Sequence, residues 1–147
     1  MQPYQVKRGD SLWRIAHNNR LTLNELMSYN KQLKGNIHII KGNHCTNARV
    51  DLYKDCSNVV EVCDAKWLTY NKQRFFLSHY PTLTDNHDDG KPLSRRIISL
   101  CGHIHTPDKW HDWDKGLIYH IEMDAHNCTP VSIEQIIEDI KTKIEEV

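Results

Sequence analysis

The sequence lacks the features that mark membrane-spanning and secreted proteins. No apolar run approaches the roughly 18 residues that a membrane span needs, and the N-terminal stretch MQPYQVKRGD contains no hydrophobic signal core. The five cysteines are odd in number and irregularly spaced, without a CxxC pair. This usage is typical of reduced thiols rather than of a disulfide framework. Together these absences predict a cytoplasmic protein.

An excess of charge is also absent, whereas histidine is abundant. The chain has 19 basic and 19 acidic residues, so nothing indicates a nucleic-acid footprint or a polybasic membrane contact. A length of 147 residues with 39% hydrophobic residues predicts one ordinary domain, or a small module joined to an incomplete one. The ten histidines first suggest a metal site, because imidazole is the commonest metal ligand.

The first third of the chain has the pattern strand, helix, helix, strand. Residues 4–7 form a short β-rich run, and the following GDS is typical of a helix N-terminus. Thr22 lies three residues ahead of Glu25, which is the capping-box spacing and predicts a second helix. The β-branched run IHII predicts a strand over residues 37–40.

The remaining two thirds alternate strands with loops and end in a helix. β-rich runs predict strands over residues 58–64, 66–71, 73–80, 96–103 and 116–124. Asn71 and Lys72 are a plausible hairpin turn, and residues 81–95 form a polar loop. A capping box at Ser132 and Gln135 starts an amphipathic terminal helix with an isoleucine stripe. The predicted fold class is therefore α/β or α+β.

Three predicted strands run into turns that carry ligand-type side chains. These side chains are Asn43, His44, His79, His103 and His105. Functional groups gather at the carboxyl ends of strands in open α/β sheets, so we expect these groups to converge. A glycine precedes two of the turns and allows close backbone approach, and on a regular strand the two rings of the HxH pair would share one face. Such a set suits Zn, Mn or Fe. Taken singly, each of the other histidines is better explained as solvated or hydrogen-bonded.

The motifs around these residues carry a family resemblance. KGNH, LSHYP and CGHIHT, with the tail IEMDAHNCTPVSIEQI, resemble the second half of a calcineurin-like metallophosphoesterase, in particular the compact phage and bacterial type. The resemblance implies two metals that share a hydroxide, which attacks phosphorus. By motif, Asn43 and His79 would bind the second metal together with His103, and His105 would bind the first. His44 would hydrogen-bond the substrate and could protonate the leaving group.

The chain departs from this family pattern at two places. Cys45 follows GNH, where the family usually has an acidic residue, and this change would loosen the orientation of His44. The family also opens with a DxH motif and a later GD, which supply carboxylates to the metals. No DxH occurs before GNH. The first metal would then keep only His105 from this set, so the resemblance implies an incomplete centre, with one metal site occupied.

A different resemblance covers the N-terminus. The stretch YQVKRGDSLWRIAHNNRLTLNELMSYN resembles a lysin motif (LysM), which implies a βααβ unit that binds N-acetylglucosamine-containing glycans such as peptidoglycan and chitin. The implied glycan site consists of Gly9, Asp10, Ser11 and Leu12 on one side, with Asn30 to Leu33 opposite. The two resemblances divide the chain into a LysM-like module at residues 1–36, which can share the strand at 37–40, and a partial metallophosphoesterase domain at residues 37–147.

Asp10 has two interpretations. It belongs to the LysM pattern, but it also lies near where the phosphoesterase GD would fall, so it could be a bridging carboxylate. Sheet geometry distinguishes the two interpretations. Residues 4–6 antiparallel to residues 37–40 would indicate LysM, whereas a parallel arrangement would indicate the phosphoesterase.

The sequence therefore supports two functional hypotheses. The first is a metal-dependent phosphoesterase, incomplete at its first metal, that acts on a phosphoester small molecule or a nucleotide. The alternative is a non-catalytic glycan-binding protein in which the phosphoesterase remnant is a scaffold. A truncated sheet would leave an unpaired edge, which favours self-association. Cell-wall contact would require release from the cytoplasm, for example by phage lysis.

Overall fold

A computed structural model of the protein describes residues 35–84, 95–111 and 117–145. The strand predicted at residues 4–7, the two N-terminal helices and most of the polar loop lie outside the described residues. Within them the fold is mixed α/β. In chain order the elements are β1 (Ile37–Ile40), α1 (Asn47–Lys54), β2 (Val59–Cys63), β3 (Ala65–Tyr70), β4 (Gln73–Ser78), β5 (Ile97–Cys101), β6 (Trp110–His111), β7 (Ile118–His120), a 3₁₀ turn (Met123–His126) and α2 (Ile133–Glu145).

The larger sheet has five strands in the order β3-β4-β5-β7-β6. Strands β4, β5 and β7 are parallel, while β3 and β6 join the two ends in antiparallel orientation. The hairpin between β3 and β4 turns at Asn71 and Lys72, whose φ angles are 47° and 68°. Two consecutive left-handed residues are typical of a tight type I′ hairpin, and the predicted turn is confirmed. The parallel strands bring their carboxyl ends to one edge of the sheet.

The hydrophobic core lies between one face of this sheet and α2. Its buried members are Phe75, Ile98, Leu100, Leu117, Tyr119, Ile136 and Ile140, and Leu68 and Leu77 pack against them. All five residues of β5 are buried, which explains the continuous apolar run at this central parallel strand. The predicted cap of α2 is confirmed, because the Gln135 backbone N–H donates to Ser132 Oγ at 3.2 Å.

A separate parallel pair, β1 with β2, precedes the large sheet. The chain passes from β2 to β3 through Asp64 alone, and an ion-pair cluster crosses this junction. His38 Nδ1 lies 2.9 Å from Glu61 Oε2 and 2.7 Å from Lys66 Nζ, and Lys66 also contacts Glu61. The cluster joins β1, β2 and β3.

Three elements were not predicted: helix α1, strand β6 and the 3₁₀ turn at Met123–His126, where the sequence predicted a strand as far as residue 124. Helix α1 has no buried residue, so its sequence lacks the apolar stripe by which helices are recognised. Thr46 nevertheless caps it, since the Arg49 backbone N–H donates to Thr46 Oγ1. Strand β6 has two residues, too few for a periodic pattern. No helix among the described residues is both long enough and apolar enough to cross a membrane.

Candidate functional site

Three of the predicted ligand-type side chains meet beyond the carboxyl ends of β1, β4 and β5. His79 Nε2 lies 2.8 Å from Asn43 Oδ1 and 3.0 Å from His103 Nδ1. The two imidazole rings are 4.9 Å apart between centroids and inclined at 69°. Each residue follows a different strand. His79 and His103 meet because β4 and β5 are parallel neighbours, whereas Asn43 reaches them from β1 of the separate two-stranded sheet. We call Asn43, His79 and His103 the histidine cluster; their role as ligands stays a prediction.

Gly42 makes room for the His79 ring. A Cβ atom at residue 42 would lie 2.7 Å from His79 Cε1 and 2.8 Å from Nδ1, well inside van der Waals contact. At Gly102 the nearest atom to a Cβ would be Glu122 Oε2 at 3.7 Å, an ordinary contact. Close approach is therefore required at Gly42 and not at Gly102.

The expectation that His103 and His105 share one face of a strand is wrong. Strand β5 ends at Cys101, and both histidines are left-handed, with φ angles of 76° and 57°. The two side chains have different partners: His103 contacts His79, whereas His105 Nδ1 lies 2.8 Å from Asp124 Oδ2. Left-handed non-glycine residues cost energy that surrounding contacts must offset. His105 thus pairs with a carboxylate instead of contacting the histidine cluster directly, although it lies near enough to lower the pKa of His79.

His44 lies in an exposed turn next to the histidine cluster. Its backbone carbonyl accepts a hydrogen bond from Arg49 Nη1 at 2.5 Å. Cys45, the departure from the family pattern, holds the same turn: its backbone N–H donates to the Gly42 carbonyl at 2.9 Å, and its Sγ accepts from the Gly42 N–H at 3.3 Å. The turn is therefore fixed through its backbone, and the His44 side chain is presented to solvent.

Tyr80 is a neighbour that the sequence analysis did not single out. Its ring centroid lies 4.7 Å from that of His103 and 5.0 Å from that of His79, in edge-to-face geometry. The side chain is 50% exposed, so one side of it faces solvent beside the cluster. The sequence feature that could have indicated this contact is the position of Tyr80 directly after His79 in LSHYP.

Burial and neighbouring imidazoles set the charge of His79. Burial lowers the pKa of His79, and the histidines around it lower the pKa further, while Glu122 acts in the opposite direction. His79 is thus neutral at neutral pH, the form that can accept a hydrogen bond or bind a metal.

Glu122 is a second residue that sequence reasoning missed. Its Oε1 accepts from the Thr106 N–H at 2.8 Å, and its buried Oε2 has no hydrogen-bond partner among the described residues.

Cys101 and His120 form a buried pair behind this edge. Cys101 Sγ lies 3.8 Å from His120 Nδ1, and neither residue has exposed surface. Burial raises the pKa of the Cys101 thiol to about 12 and lowers the pKa of His120. A protonated thiol beside a neutral imidazole is not a nucleophile, so this pair is structural.

The spacing of the histidine cluster suits one divalent metal, but the cluster supplies only part of a ligand set. Adjacent ligands of an octahedral metal at about 2.1 Å stand about 3.0 Å apart, and the donor separations of 2.8 and 3.0 Å agree with this. The set contains two imidazoles and one amide oxygen but no carboxylate. Across the described ranges, no group of three or more His, Cys, Asp and Glu residues is arranged to hold a metal ion. Asn43, His79 and His103 would therefore hold such an ion on one side only.

Comparison with known families identifies the domain in the N-terminal segment. Residues 4–41 match the LysM domain family. The protein contains a LysM domain. LysM domains bind glycans of the peptidoglycan and chitin type. The match takes in β1, which the sequence left open to either unit, and ends directly before Gly42 and Asn43.

No curated protein and no solved structure matches the chain. The assignment of residues 37–147 to a phosphoesterase therefore stays a prediction from motifs. The predicted glycan-site residues are Gly9, Asp10, Ser11, Leu12, Asn30 and Leu33, and all lie outside the described residues. The same holds for residues 4–6, whose pairing would decide the role of Asp10.

Proposed function

We propose that this protein binds an N-acetylglucosamine-containing glycan through its LysM domain. The observation that carries the proposal is the family match over residues 4–41. Of the two functions expected from the sequence, this is the alternative, and the match favours it over the hydrolase. The loops Gly9–Leu12 and Asn30–Leu33 would form the site, with polar groups bonding the sugar acetamido and hydroxyl groups.

Co-sedimentation of the full chain with insoluble peptidoglycan and with chitin tests this proposal. We expect retention of the wild type and weaker retention of Asp10→Ala and Asn30→Ala. Glu138→Ala removes a carboxylate from the exposed face of α2 and serves as the matched control. Loss of retention in Glu138→Ala to the same extent, or no retention of the wild type, contradicts the proposal.

A second candidate function is metal-dependent phosphoester hydrolysis, which the convergence of Asn43, His79 and His103 favours. These residues would hold Mn, Fe or Zn, and His105 would face any further ion. A divalent metal there would act as a Lewis acid toward phosphoryl oxygens. Neutral His79 would offer the lone pair of one ring nitrogen to the ion, and His44, which is exposed, would donate a proton to a leaving group.

Hydrolysis of p-nitrophenyl phosphate and its bis ester in Mn²⁺, together with metal analysis of the purified protein, tests the second candidate. We expect His44→Ala and His103→Ala to abolish turnover, and His103→Ala also to lower metal content. His38→Ala is the control, since His38 lies outside the cluster and pairs with Glu61. Equal activity in all three variants would exclude the histidine cluster as the site.

A further inference from the structure

An exposed aromatic surface lies at the β3–β4 end of the large sheet, on the face opposite α2. The antiparallel register places Trp67 across from Phe76 and Thr69 across from Arg74. Alternation along both strands puts these four side chains on one face, while Leu68 and Phe75 point to the core. Trp67 is 60% exposed. We call Trp67, Thr69, Arg74 and Phe76 the β3–β4 ledge.

The ledge borders a buried part of the same sheet face. In register, Phe76 lies beside Ser99 of β5, and Ser99 lies beside Ile118 of β7. Ser99 is 1% exposed and Ile118 is 3% exposed. The side chain two strands away from Trp67 is therefore already fully buried. A large indole therefore faces solvent at one defined place next to a packed surface, where a ligand can lie flat against the sheet.

The indole of Trp67 is held before any ligand arrives. Its ring centroid lies 4.8 Å from that of Phe76, and the rings are inclined at 55°, within the range of stabilising aromatic pairs. A ring that is already oriented loses little conformational entropy on binding. Its exposed face is apolar, whereas Thr69 and Arg74 offer hydrogen-bond donors beside it. This combination suits a pyranose ring, which has an apolar C–H face and polar hydroxyl edges.

The charge of the ledge selects among glycans. Arg74 is exposed and carries the one formal charge of the four ledge residues, and a guanidinium pairs best with a carboxylate. Peptidoglycan carries lactyl and peptide carboxylates, whereas chitin is neutral. We infer that the β3–β4 ledge is a second contact site for a carboxylate-bearing N-acetylated glycan of the peptidoglycan type. The inference rests on the proposed glycan binding by the LysM domain and adds the class of polymer.

Two contacts in one chain reinforce each other. Once the LysM domain holds a polymer, the ledge binds the same polymer in an intramolecular step at high effective concentration. The ledge would therefore contribute strongly to retention on long glycans and little to binding of a short oligosaccharide that reaches only one site.

Retention of the full chain on purified peptidoglycan and on chitin tests the inference. We expect Trp67→Ala to weaken retention on both polymers by about tenfold, because truncating a central aromatic contact has effects of this size, and Trp67→Phe to restore most of it. Arg74→Gln should weaken retention on peptidoglycan by about two- to fivefold, as expected for an exposed ion pair, and only at low salt. Val60→Ala is the control, since Val60 is 53% exposed in β2, outside the ledge.

The outcomes separate this inference from the LysM proposal. Retained wild type with Trp67→Ala equal to Val60→Ala overturns the ledge and leaves the LysM proposal standing. No retention of the wild type overturns both. If Trp67→Ala converts a dimer to a monomer in size-exclusion chromatography and leaves retention unchanged, the ledge is a contact between copies and the inference fails. Far-ultraviolet circular dichroism of each variant verifies that it is folded.

Discussion

Replacing Gly42 by alanine perturbs the histidine cluster at one defined point. The new Cβ would lie 2.7 Å from His79 Cε1, about 0.8 Å inside an ordinary carbon contact of about 3.5 Å. The backbone cannot retreat freely, because the neighbouring Lys41 N–H donates to the Cys63 carbonyl at 2.8 Å. The His79 ring must therefore rotate away, and it then loses its contacts to Asn43 and His103.

The expected cost follows from these contacts. Overpacking of this kind costs about 1–3 kcal/mol, and the lost hydrogen bonds are partly exposed, so we expect the free energy of unfolding to fall by about 2 kcal/mol. The pKa of His79 should rise toward its usual range, because the rotated ring leaves its buried position and its imidazole neighbours. Urea denaturation measures the first effect, and NMR titration of the imidazole resonances measures the second.

Gly102→Ala is the matched control for this substitution. Its Cβ meets nothing closer than Glu122 Oε2 at 3.7 Å, so it should leave both the stability and the pKa of His79 near the wild-type values. If Gly42→Ala behaves like Gly102→Ala in both measurements, the His79 ring is not held against residue 42 and the described geometry of the histidine cluster is wrong.

Three further predictions concern the fold that supports this edge. Burial lowers the pKa of His120. Neutral His120 therefore contributes to the free energy of unfolding above about pH 6.5, and this contribution is lost as the pH falls toward the folded-state pKa. His120→Gln should flatten the fall in stability, measured by urea denaturation, between about pH 7.5 and pH 5. Asp139→Asn removes the charge that accepts a hydrogen bond from Tyr119 Oη at 2.6 Å and should cost about 1–3 kcal/mol in the same assay; an unchanged midpoint would contradict this. Ile140→Ala empties a fully buried position and should cost about 2–5 kcal/mol, whereas Leu83→Ala, at a side chain 58% exposed, should be nearly neutral in chemical denaturation.

Strands with a continuous or alternating apolar pattern could be predicted from the sequence. The buried run of β5 and the hairpin between β3 and β4 both formed where expected, because their burial leaves a direct trace in residue type. Helix α1 left no such trace, since it buries no residue. Strand β6 exists only through its pairing with β7, which is information that a local pattern does not contain.

The candidate site could be predicted in outline but not in detail. A strand followed by a polar turn indicated that Asn43, His79 and His103 come together. For His79 and His103 this follows from parallel strands ending at one edge, whereas Asn43 comes from the separate two-stranded sheet. The pairing of His105 with Asp124 instead of with this group could not be predicted, because it depends on left-handed backbone at two residues after β5. Glu122 could not be predicted either. It follows β7, and it lies near this edge because β7 is the neighbour of β5 in the sheet, which sequence distance does not reveal.

The central claim is that the LysM domain at residues 4–41 binds a glycan, and a pull-down of the full chain with peptidoglycan tests it most directly. We predict that the protein sediments with the polymer, that soluble N-acetylglucosamine oligomers release it, and that Asp10→Ala weakens the association. Recovery of the folded wild-type protein entirely in the supernatant, from peptidoglycan and from chitin alike, would contradict the claim.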